Sequence, residues 1–150
     1  MNSREAIYAA LFEQLQTINA NLVPGAPAIQ TFSRRLIPTS RVDLQPALLM
    51  IEASEEYEHP AISVPPKVTL VANVLLYTRD GADPNAVSAT ALNRLLDSLE
   101  GTVAPVFPGE QRLDGLVHWL RIAGRQTIYD AVQDVTQATT TVELRMLATD

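Results

Sequence analysis

The sequence predicts an α+β fold: a mostly antiparallel sheet of about five strands, with two helices packed on one face. Three observations point there. Two segments repeat their apolar residues at helical spacing, and one long segment alternates them at strand spacing. Several strand-like runs also follow one another with no helix between them, which favours antiparallel pairing.

The first helix opens the chain. Asn2 is a suitable N-cap, with Glu5 three residues on as in a capping box. Ile7, Leu11, Leu15 and Ile18 then recur at i, i+4, i+8 and i+11 beside Tyr8 and Phe12, forming one apolar stripe. Pro24-Gly25-Ala26-Pro27 ends it. Ile29 to Leu36 is expected as a strand anchored by Phe32, and Ala47 to Ala53 as a second. The polar run Ser54-Glu55-Glu56-Tyr57-Glu58-His59, leading to Pro60 and Pro65-Pro66, is expected as an exposed loop or the tip of a long hairpin.

Lys67 to Arg79 is the clearest strand. Val68, Leu70, Ala72, Val74 and Leu76 share one side; Thr69, Val71, Asn73, Leu75 and Tyr77 share the other. Asp80-Gly81-Ala82 is a turn signal, and Asp83-Pro84 pairs an N-cap with proline at the first helical position. The second helix carries Val87, Ala91, Leu95 and Leu99, with Leu92 and Leu96 alongside and Gly101 as its C′ residue. Pro105, Pro108 and Gly109 mark a loop. Leu116–Ala123 and Thr139–Leu147 are strands, with Gln126–Val132 a candidate further one.

About five strands ~4.8 Å apart span roughly 24 Å, and two helices of ~10 Å each cover only one such face. With Val68, Leu70 and Val74 toward the helices, the other side is expected to leave Val71, Leu75 and Tyr77 open for a partner surface.

At 150 residues the chain is expected to be a single domain, 1–150, able to bury one core. The absence of cysteine excludes disulfides and thiolate metal sites, and two histidines leave little for imidazole ligation. The opening Asn2-Ser3-Arg4-Glu5 is polar, unlike a signal peptide, and no run reaches the ~18 apolar residues of a membrane span. A soluble protein of a reducing cytoplasm, with no membrane partner, is expected. The net charge of −6, with 11 Lys and Arg spread along the chain, argues against tight phosphate-backbone binding.

Catalytic signals are sparse. His118 adjoins Trp119 in a strand and His59 precedes Pro60 in a polar run; neither stands in a G-x-S-x-G elbow. No G-x-G-x-x-G or P-loop cradles a phosphate. Glu52, Glu55, Glu56 and Glu58 with His59 could hold a hard cation, but their spacing matches no EF-hand and the run after Glu52 reads Ala-Ser. No catalytic residue, metal or cofactor is expected. Arg34, Arg35 and Arg41 form the one notable basic cluster, which could meet Glu55, Glu56 and Glu58 across a subunit boundary.

Taken whole, the chain resembles the tail terminator proteins of long-tailed bacteriophages, the group that includes minor tail protein U of lambda-like phages. The resemblance runs nearly full length, without a single diagnostic motif. It is carried by Arg4-Glu5-Ala6-Ile7-Tyr8-Ala9-Ala10-Leu11-Phe12, Ser33-Arg34-Arg35-Leu36, Gln45-Pro46-Ala47-Leu48, the Lys67–Tyr77 strand, Leu92-Asn93-Arg94-Leu95-Leu96-Asp97 and the Thr141–Met146 strand. Family members often carry glycine where Asp114 stands. The resemblance implies an α+β fold and no enzymatic activity. It also implies a hexameric homo-oligomer ring at the head-proximal end of the virion tail, assembled in the host cytoplasm. Such a ring stops polymerisation of the tail tube protein and meets the head-completion or neck protein. DNA passes through its lumen without specific binding; six copies at −6 each would carry roughly −36, and phosphates find no cationic trap there. Other readings are a neck or head–tail connector protein, a metal-dependent hydrolase or nuclease with an acidic site joined by Asp43 or Asp80, and a small-molecule binding module.

Overall fold

A computed structural model describes residues 3–79, 88–103, 112–132 and 135–149. In order the elements are α1 (Arg4–Leu15, continued by a 3-10 turn Gln16–Ala20), β1 (Thr31–Ser33), β2 (Ala47–Glu58), β3 (Lys67–Arg79), α2 (Ser88–Val103), β4 (Val117–Val132) and β5 (Val135–Ala148). The α+β expectation holds. One five-stranded sheet has the order β1-β2-β3-β5-β4, parallel between β1 and β2 and antiparallel elsewhere.

Helix α1 begins one residue later than expected. Ser3, not Asn2, is the N-cap, and its hydroxyl accepts the Ala6 N–H at 3.1 Å. A serine oxygen there satisfies one of the orphan donors of the first turn. The stripe Ile7, Leu11, Leu15 and Ile18 is fully buried, as its spacing required. Asn19 then pins the returning chain: its amide donates to the Ile29 carbonyl (3.0 Å) and accepts the Ile29 N–H (2.8 Å). That clasp delivers β1 to the edge of β2, where Phe32 packs against the main core. The strand expected over Ile29–Leu36 shortens to three residues.

Both helices lie on one face. They enclose Val68, Leu70, Ala72, Val74 and Leu76 of β3 and Ala138, Val142, Leu144 and Met146 of β5, with Leu92, Leu95, Leu96 and Leu99 of α2 above them. Gly101 lies inside α2 instead of following it. The turn over 80–82, the start of the second helix at Asp83-Pro84 and the Pro105–Gly109 loop lie outside the described residues.

The opposite face departs from expectation. The connection between β1 and β2 folds back over it, so that Ile37 and Val42 pack on Ala47, Leu49, Leu75 and Tyr77 as a second, smaller core. Tyr77 is 3% exposed and Val71 2%, with Leu75 half-buried. The expected open apolar face of Val71, Leu75 and Tyr77 is thus closed within one chain. Thirteen residues between short β1 and β2 suffice to cross the sheet; counting only helices as covers overlooked them.

Two strands run longer than expected. β2 continues through the whole glutamate run to Glu58 as one arm of a hairpin with β3. β4 is a single strand with a register shift between Ile122 and Gly124, and that irregularity breaks the alternation into what read as two strands. Before β4, Leu113, Asp114 and Gly115 take φ of 54°, 55° and 85° in succession. That conformation suits glycine, which is why Asp114 stands out there.

Candidate assembly surface

The glutamate run is organised by a register shift. Ile51 pairs with Asn73 and Glu52 with Ala72, but Ser54, not Ala53, pairs with Val71. Ala53 is the extra residue, so Glu52, Glu55 and Tyr57 share the helix-bearing face while Ser54, Glu56 and Glu58 point the other way.

Each of the first three glutamates meets an arginine from a different element. Arg4, in the first turn of α1, grips Glu55 through Nε and through Nη2 at 3.0 Å, and Nη2 also reaches the Tyr57 hydroxyl at 2.7 Å. Tyr57 in turn donates to Glu55 at 2.6 Å. Arg34, just beyond β1, donates to Glu5 at 2.6 Å and to Glu52 at 3.1 Å. Across the sheet, Arg145 of β5 reaches over β3 to both carboxylate oxygens of Glu56, at 3.0 Å each. That pair spans the strands flanking Val71, which explains how a residue on the helix-free face becomes buried. Hydrogen bonds from Arg34 hold the Glu5 carboxyl below its ordinary range, and those from Arg4 and Tyr57 do the same for Glu55. Tyr8, beneath this network, is pushed up to about 12, first by burial and then by the charges of Glu52 and Glu55.

The residues expected to pair between subunits therefore divide. Arg34, Glu55 and Glu56 are engaged within one chain. Arg35, Arg41 and Glu58 are exposed and make no ion pair among the described residues. Arg4, Arg145 and Tyr57 were not foreseen, because their partners lie 51, 89 and 53 residues away or depend on the shift at Ala53.

Three of the clustered carboxylates are neutralised by guanidinium groups on both sides of the strand, and no group of three or more His, Asp or Glu able to hold a metal occurs among the described residues. His59 and His118 are exposed, and neither is hydrogen-bonded to a serine or a carboxylate among them. A groove between α1, the end of α2 and the Leu113–Asp114 turn is lined by polar Glu13, Gln14, Thr17, Thr102 and Asp114 and by apolar Ala10, Val103, Leu113 and Leu120. No described helix is long and apolar enough to cross a membrane.

Among the described residues the large apolar side chains left exposed are Leu36 and Leu44 in the connection between β1 and β2, Tyr57 of β2, Ile62 and Val64 in the loop between β2 and β3, and Ile128 and Tyr129 of the outer strand β4.

No family model matches the sequence, and no curated protein does. In fold, the chain matches a chain of a solved virion of a native gene transfer agent particle. The TM-score is 0.51 at 14% identity, covering 97% of this chain and 100% of that one. This chain shares its fold with a virion constituent. The match extends over nearly the full length of both chains.

Proposed function

We propose that the chain is a structural virion protein that terminates a tail. In this reading copies join into a ring, expected to be hexameric, which caps the tail tube, stops its polymerisation and joins the tail to the head-completion or neck protein. The observation that carries the reading is the end-to-end fold likeness to a virion chain. The full-length resemblance to tail terminators is consistent with it, as is the net charge of −6. A lumen that DNA must traverse favours such an acidic, phosphate-repelling composition.

Closing a ring requires two different patches of each copy to meet. Arg35 and Arg41 on one flank and Glu58 on the other are the expected charge pairs, since each is free of intramolecular ion pairing among the described residues.

The deciding experiment measures mass in solution, first alone and then with polymerising tube protein, and follows tube length. A terminator caps purified tubes and limits their length. A neck or head–tail connector protein, the second reading, binds the completed end without limiting growth. Failure of the native chain to join either a tube or a neck component would sink both. A metal-dependent hydrolase would need cation binding that is lost on Glu55→Ala and Glu58→Ala; Glu55 is already committed to Arg4 and Tyr57.

A further inference from the structure

Both outer edges of the sheet leave backbone unpaired. β4 is 16 residues long, and apart from one bridge between Arg112 and Val117 its outer side carries no strand among the described residues. At the opposite edge β1 covers only Ala47–Leu49, so β2 from Met50 to Glu58 has no outer neighbour there either. Neither stretch contains proline or lysine, the residues that commonly guard an edge against pairing. Arg4 and Arg145 clamp β2 from its two faces, which keeps that edge an ordered strand.

We propose that β4 of one copy pairs antiparallel with the outer edge of β2 in the next, so that one sheet runs on from copy to copy. The strand directions allow it. β2, β3, β5 and β4 alternate, so copies in the same orientation bring β4 and β2 together antiparallel. Side chains then select the register. Arg121 and Glu58 both lie on the helix-free side, both are exposed, and neither makes an ion pair among the described residues. Arg121 is already steadied over the Trp119 ring, 4.3 Å from its centroid. Setting Arg121 opposite the next copy's Glu58 places Arg125 opposite Glu55 and Ile122 opposite Tyr57 on the helix-bearing side. Exposed Ile128 then meets Ile51, and no like charges face each other.

The bulges let this register continue. Ala123 is the extra residue on β4 between Arg121 and Ile128, and Ala53 is the extra residue on β2 between Ile51 and Glu58. One surplus residue on each strand keeps the two sides in phase from end to end. A slip of two residues one way carries Ile128 onto Leu49, whose outer side already holds Ser33. The opposite slip takes both arginines off their glutamates. Pairing across one copy leads from Ser54 through Val71 and Arg145 to Arg121, and so to a Glu58 four residues further along β2. That stagger, about 13 Å of rise over four spacings of about 4.8 Å, tilts the strands by about 35°. Sheets that close on themselves tilt by roughly 35–45°. The inference rests on the ring reading above and supplies its heterologous contact; it narrows the charge pairs by giving Glu58 to Arg121.

The chain has no cysteine, so an introduced disulfide reports the register directly. Full-length Ser54→Cys and Gln126→Cys proteins, whose altered positions face each other in this pairing, are mixed under mild oxidation with and without purified tail tubes. A disulfide should join the two variants. Ser54→Cys mixed with Asp130→Cys, about 13 Å out of register, should give at least tenfold less. Arg121→Glu or Glu58→Arg alone should weaken self-association about fivefold, and both in one chain should restore it. All these positions are exposed, so thermal stability should stay that of the native chain. Equal yields in the two mixtures, no disulfide in either, or no rescue by the double reversal overturns the proposal. So does a disulfide formed by Gln126→Cys alone, the sign of β4 pairing with itself. In-register crosslinking by a protein that joins neither tube nor neck component sustains this contact and removes the tail-terminator reading. Tube capping without the crosslink removes this contact and leaves that reading standing.

Discussion

The Tyr77 hydroxyl donates to the carbonyl of Ile37 at 2.9 Å, joining the middle of the sheet to a connection that contains no regular strand. Gln137 adds a second clasp: its amide donates to the Thr78 carbonyl at 3.0 Å and to the Gln45 side chain at 3.2 Å. Together these bonds hold the segment between β1 and β2 against the face that the helices leave uncovered. Burial raises the Tyr77 hydroxyl above its ordinary value, so it remains a donor throughout the neutral range.

Tyr77→Phe keeps the ring in its small core and removes only the bond to Ile37. The expected loss is about 1 kcal/mol, because Ile37 is half-buried and water can partly replace the donor. Urea unfolding monitored by circular dichroism measures it. A loss near that of a core truncation would mean the connection detaches altogether.

Leu11 is fully buried between α1 and the sheet, so Leu11→Ala should cost about 2–5 kcal/mol by lost transfer energy and the cavity left behind. Ile128, 62% exposed on β4, is the control: Ile128→Ala should stay within about 0.5 kcal/mol. Equal effects at the two sites would contradict the burial pattern.

Ser3→Ala removes the acceptor for the Ala6 N–H and should destabilise the fold by about 1 kcal/mol. Substituting Ser3 by Asp should restore most of that, since a carboxylate both caps and complements the helix dipole. Amide hydrogen exchange across the first turn reports the fraying directly.

Acid should weaken the clamp on the hairpin arm. Glu5 and Glu55 lie below their ordinary value of 4.5 in the folded chain, so the unfolded chain binds more protons in that window. Their contribution is complete above 4.5 and is lost as pH falls through the folded values. Both are solvent-accessible, so the effect is modest and is screened by salt. Unfolding midpoints from about pH 6 to pH 3 should decline less steeply in the Glu5→Gln, Glu55→Gln double variant than in the native chain. Parallel curves would show that other carboxylates carry the acid response.

Much of the fold was legible because it rests on local periodicity. Ile7, Leu11, Leu15 and Ile18 had to share a helix face, and Val68, Leu70, Ala72, Val74 and Leu76 had to share a strand face; all nine are buried together. The glutamate run was harder. Its charge suggested solvent, yet its backbone is paired along β3 and its carboxylates are met by arginines up to 89 residues away. Gly124 follows an irregularity in β4, which therefore lost the period-2 signal by which a strand is recognised.

The amino-acid order alone determined the two helices, the principal strands, the α+β class and the face on which the helices sit, because each follows from side-chain spacing within one segment. Only the tertiary structure decided the parallel pairing of β1, the cover over Tyr77, and which glutamates are held inside the chain. Those depend on a single extra residue at Ala53 and on contacts between distant segments, and neither leaves a periodic trace in the sequence.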